Sequence, residues 1–158
     1  MLHPAVAHFA MSLPIIALVL GIAYLIKPSE LMSKISTRFM VIATLFIVAA
    51  FFSGKADGGE VYIFLSSEGQ EVLRNHKDLG LYLVILMVIT TLVKMVGCKI
   101  RNKKIEIIGI VLIAIMSVGV LAQGKMGGEL TYTYGAHVQN HSDGLDCIEE
   151  ALEMEDDD

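Results

Sequence analysis

Four long apolar stretches constrain this chain more than any other feature. They run from about Pro4 to Ile26, Phe39 to Phe52, Leu79 to Val96 and Ile105 to Ala122. Crossing about 30 Å of hydrocarbon at about 1.5 Å per residue takes roughly 20 mostly apolar residues. The second stretch reaches that length only by taking in Thr37, Arg38 and Ser53 at its ends. Backbone amides in lipid must be satisfied within the chain, so such stretches span as helices. The expected fold is an all-α membrane protein, a four-transmembrane-helix bundle running up-down-up-down. Pro14 frees one carbonyl in the first span, a defect that membrane helices tolerate. That span has no Lys or Arg before it and no small-residue cleavage site after it, so it does not read as a removable signal peptide.

Composition agrees. Of 158 residues 54% are hydrophobic and 18% charged, against about 45–50% and about 25% in soluble domains. A disordered chain is excluded, and a water-soluble enzyme is disfavoured. The net charge of −5 argues against a nucleic-acid partner, which needs a basic patch. Cys98 and Cys147 are too few for a disulfide framework and too far apart for a metal or redox CxxC motif.

Basic residues set the expected orientation. Lys27, Lys34 and Arg38 join spans one and two, and Lys94, Lys99, Arg101, Lys103 and Lys104 join spans three and four. The other side carries only Lys55, Arg74, Lys77 and Lys125. The two short basic connections are therefore expected in the cytoplasm and both termini outside. Residues 1–135 form the membrane domain on this reading. Residues 136–158 form an acidic, flexible extracytoplasmic tail ending Glu153-Met154-Glu155-Asp156-Asp157-Asp158. Ser67-Glu68-Gly69-Gln70 has the form of a capping box, which predicts the start of the third helix at Ser67 and puts His76 on a helix near the outer interface. Thr131-Tyr132-Thr133-Tyr134 alternates in the manner of an extended segment.

The halves resemble each other. Span two leaves through Gly54-Lys55-Ala56-Asp57-Gly58-Gly59-Glu60, and span four through Gly124-Lys125-Met126-Gly127-Gly128-Glu129. One deletion aligns them. His8 and His76 stand at comparable distances upstream. Two tandem two-helix repeats, about 1–62 and 67–135, are expected, related by a pseudo-twofold axis along the membrane normal. That symmetry would set His8 opposite His76 and make Lys55 and Lys125 a matched pair.

All five histidines, His3, His8, His76, His137 and His141, map to the outer side. Neutral imidazole is a common ligand of transition metals and haem iron, and an ionisable residue at membrane depth is a functional candidate. His8 and His76 are the expected axial ligands of one haem b, with Lys55 and Lys125 suited to its carboxylates. His3 and His8 stand about 140° apart on one helix, so they do not share an ion from a single face. His3 is read as the helix entry before Pro4, and with His137 and His141 as a weaker metal candidate. No phosphate loop, nucleophile elbow or His-Glu-x-x-His motif is present, and no charged residue is expected at mid-membrane.

The opening Leu2-His3-Pro4-Ala5-Val6-Ala7-His8-Phe9-Ala10 resembles a bacterial family of small four-span membrane proteins, domain-of-unknown-function family 2231, which opens His-Pro-x-x-x-His-Phe-Pro. Ser53-Gly54, His76-Lys77-Asp78-Leu79-Gly80 and Gly127-Gly128-Glu129-Leu130-Thr131-Tyr132-Thr133-Tyr134-Gly135 extend the resemblance across residues 2–138, with Ala10 where the family has proline. Fusions of some members to c-type cytochrome modules imply respiratory electron transfer. The expected function is a non-catalytic b-type cytochrome of the bacterial inner membrane, exchanging electrons with a respiratory complex or c-type cytochrome outside. The alternatives are an accessory subunit of such a complex and an outward-facing metal-binding protein.

Overall fold

A computed structural model describes residues 3–136. It contains α1 (His3–Ile26), α2 (Glu30–Val61), α3 (Ser67–Ile100) and α4 (Lys103–Tyr132), with one 3-10 turn, Tyr62–Phe64, between α2 and α3. Each of the four is long and apolar enough to cross a membrane. The expected all-α fold of four membrane helices is the one found. α1 packs chiefly on α2 and α3 on α4, while α2–α3 and α1–α4 contacts close the bundle. One end carries the two short connections and is called the short-loop end. The other holds His3 and the close of α4 and is called the terminal end.

Polar caps start the helices. Ser29 accepts the Met32 amide at 3.2 Å before α2, and Asn102 accepts those of Lys104 and Ile105 before α4. Both use a side-chain oxygen for amides that have no partner in the first turn. α3 starts at Ser67 as expected, but its N-cap is Ser66, which accepts the Gly69 amide at 3.2 Å, and not Ser67 as the capping box implies. Gln70 donates instead to the carbonyls of Tyr62 and Leu65, tying the connection to the helix. The Thr131–Tyr134 alternation is not extended either, because α4 continues to Tyr132.

The core is small and tightly packed. Ala17, Met40, Ala43, Met87, Ile113 and Met116 are almost wholly buried. Alanines at α1–α2 contacts let backbones approach closely, which is the main way helices gain contact energy in lipid. Large apolar side chains such as Val19, Leu45, Phe52, Leu92 and Val118 are exposed outward, as a lipid-facing surface requires.

Burial recurs in the second half with a constant register. Ala10, Pro14, Ala17, Gly21 and Tyr24 are the buried residues of α1, and 73 positions later Leu83, Met87, Thr90, Lys94 and Gly97 are buried on α3. Ser33, Ser36, Thr37, Met40, Ala43 and Ile47 on α2 correspond in the same way to Glu106, Gly109, Ile110, Ile113, Met116 and Val120 on α4. The caps Ser29 and Asn102 keep the same spacing. This register needs no deletion, and it corrects the pairing read from the glycine-rich exits. His76 corresponds to His3, not His8, and neither Lys55 nor Lys125 corresponds to a lysine. The exits lie beyond the central core, where mutual burial no longer fixes which residues face each other.

Candidate functional site

Polar side chains gather at the two ends of the bundle. At the terminal end, His3 stands seven residues before Ala10, on the buried stripe of α1. Its Nδ1 lies 3.2 Å from Ser53 Oγ, and its backbone amide donates to Asp57 Oδ2 at 3.3 Å. A carboxylate there also suits the positive end of the α1 dipole. The imidazole lies against Gly54, where an added Cβ would come within 2.7 Å of the ring. The symmetry-related His76 repeats the arrangement: a Cβ on Gly127, 73 positions after Gly54, would stand 3.4 Å from its Cε1. Gln123 donates to the His76 carbonyl at 2.8 Å. His76 Nδ1 and Gln123 Oε1 are buried polar atoms without a hydrogen-bond partner among the described residues.

The sequence-predicted residues divide accordingly. His76 faces the bundle. His8 does not: it is exposed, and its Nδ1 lies 2.6 Å from the carbonyl of Pro4 on its own helix. Its position two residues before Ala10 turns it about 200° from the buried stripe. Lys55 and Lys125 are both exposed and bridge to no acidic group among the described residues. His3, read as the helix entry and a weaker metal candidate, is the inward-facing histidine of α1. His137, His141 and Cys147 lie outside the described residues.

At the short-loop end stands a cluster that sequence reasoning missed. Lys94, assigned above to the α3–α4 connection, is fully buried within α3, and Glu106 is 2% exposed on α4. They form an ion pair through Lys94 Nζ and Glu106 Oε2. Ser33 donates to the same oxygen at 2.7 Å and Tyr24 to Oε1 at 3.0 Å. The ammonium also sits 4.5 Å from the centre of the Tyr24 ring, within cation–π range. Four helices thus meet on one carboxylate. A visible signal existed: both charges are flanked by apolar residues, in Val93-Lys94-Met95 and Ile105-Glu106-Ile107.

Access to this carboxylate is one-sided. A cleft of about 320 Å³ opens at the short-loop end and is lined by Tyr24, Ser33 and Glu106, with Glu30, Cys98 and Arg101 nearer its mouth. Arg101 Nη2 meets Glu30 Oε1 at 3.0 Å across that mouth. Towards the terminal end, Met40, Met87, Ile113 and Met116 fill the core. Two polar sites thus stand at opposite ends of the bundle, with the buried hydroxyls of Thr90, Thr91 and Ser117 between them.

Residues 1–140 match the family model described as "Predicted membrane protein (DUF2231)". The chain belongs to this family. DUF2231 carries no assigned activity in its description, so membership establishes a membrane protein, the four long apolar helices supply its spans, and its chemistry is left to the geometry. No curated protein and no solved structure matches the chain.

Proposed function

We propose that this DUF2231 protein is a small membrane b-type cytochrome that holds one haem at its terminal end through His3 and His76. The observation that carries the reading is the placement of these two imidazoles at equivalent positions of the two helix pairs, each against a glycine. The donor set also fits. Among the described residues no three His, Cys, Asp or Glu groups come together as an ion cage. Haem iron needs only two protein ligands, since the porphyrin supplies the rest, and paired imidazoles from facing helices are a familiar arrangement in bundles.

Haem, when bound, supplies one-electron chemistry. The chain orients two imidazoles: Ser53 holds the His3 ring, and Gln123 ties the His76 backbone to α4. The orphan Nδ1 of His76 is a nitrogen awaiting a partner. Such a protein is an electron carrier and needs no general acid or base. With the basic loops in the cytoplasm, as their charge favours, the haem faces the outer side of a bacterial inner membrane, towards a respiratory complex or c-type cytochrome.

The optical spectrum of protein purified from its native membrane tests this. Low-spin bands that sharpen on reduction are expected. A colourless protein would overturn the proposal and leave an accessory subunit with structural histidines.

A further inference from the structure

We infer that Glu106, with Lys94, Tyr24 and Ser33, is a proton-binding site that exchanges with the aqueous phase at the short-loop end. The first ground is what the fold does without these charges. Under the 73-residue register Lys94 takes the place of Gly21, and Glu106 that of Ser33. The first half therefore carries neither charge at the equivalent positions. Burying a charge pair is a doubtful route to stability, and ionisable residues within a membrane bundle mark function by default. The pair breaks the symmetry at one place, and the architecture does not call for it there.

Access is the second ground. The cleft reaches Glu106 from the short-loop end, while in the other direction Met40, Met87, Ile113 and Met116 fill the core, with the buried hydroxyls of Thr90 and Thr91 among them. The carboxylate has room for a proton. Oε2 accepts from both Ser33 and Lys94, but Oε1 accepts only from Tyr24. A proton from water adds to Oε1 as the Tyr24 hydroxyl turns away, converting carboxylate to carboxylic acid. Release reverses the step, and no electron moves.

Every charged or titratable group facing the site is accounted for. Tyr24 faces it from α1, Lys94 and Cys98 from α3, and Glu30 and Arg101 from the mouth. Glu30 and Arg101 pair with each other, and Glu30 also pairs with Lys34 at 2.7 Å. With two cations on one carboxylate the mouth carries one net positive charge, and Glu106 is the carboxylate that faces inward. The inference does not depend on haem at the other end.

Infrared difference spectra of the full chain in lipid nanodiscs, recorded between alkaline and acid buffer, test it. A carboxylic C=O band characteristic of a buried acid should grow on acidification, persist in Glu30→Gln and vanish in Glu106→Gln. Lys94→Gln keeps the carboxyl and removes its counter-charge, so the band's midpoint should move to higher pH. This second variant decides the matter even if Glu106→Gln fails to fold. No band in the wild type, a band that survives Glu106→Gln, or an unmoved midpoint in Lys94→Gln would make the pair a static strut.

Discussion

Single residues decide which face of a helix has work to do. Gly54 has its importance because the His3 ring occupies the volume of a Cβ. Gly54→Ala should displace that ring and lower stability by about 1–3 kcal/mol, as overpacking does. Gly59, near the same end of α2, has nothing within 4 Å of an added Cβ. Gly59→Ala should therefore leave thermal unfolding in detergent unchanged or slightly raised. Equal losses in both variants would mean that helix exits, not the imidazole, require glycine. For the buried ion pair, Glu106→Leu alone leaves the Lys94 ammonium without its partner and should cost about 3–5 kcal/mol. Adding Lys94→Met should recover much of that loss in the same melt. If the double variant is as unstable as the single one, the charges are needed for packing.

Helices were legible from the sequence and their faces were not. Run length alone identifies four spans, since nothing else satisfies backbone amides in hydrocarbon. In a soluble bundle the buried face is betrayed by polar residues opposite it. Here the lipid-facing residues, such as Val19 and Val118, are as apolar as the core. The inward stripe is visible only as small residues at Ala10, Ala17 and Gly21, which is why His8 was preferred to His3. Lys94 reads as a connection charge because it lies within a few residues of a basic turn, yet α3 and α4 extend past both Lys94 and Glu106. Cap chemistry is testable at this scale. Ser66→Ala should lose about 1 kcal/mol, the usual value of an N-cap, while Ser67→Ala should lose little. The reverse order in thermal melts would restore the capping box read from sequence. Arg101 is the one described non-glycine residue with positive φ, 55°, at a position where glycine is usual. It holds that conformation while its guanidinium reaches Glu30.

For the whole molecule, the two ends differ in charge as well as chemistry. With Lys94 buried, Lys27, Lys34, Arg38, Lys99, Arg101, Lys103 and Lys104 remain at the short-loop end. A reporter inserted within Lys99–Lys104 should be active only in the cytoplasm, and one fused after Asp158 only outside it. The opposite pattern would place the imidazoles inside and the proton site outside. The central claim is that the bundle brings His3, not His8, together with His76 to hold a haem. The most direct measurement compares optical spectra and haem content of His3→Ala, His8→Ala and His76→Ala. His3→Ala and His76→Ala should each lose most of the haem or turn it high-spin, with His8→Ala matching the wild type. Loss of haem in His8→Ala with full retention in His3→Ala would contradict the account.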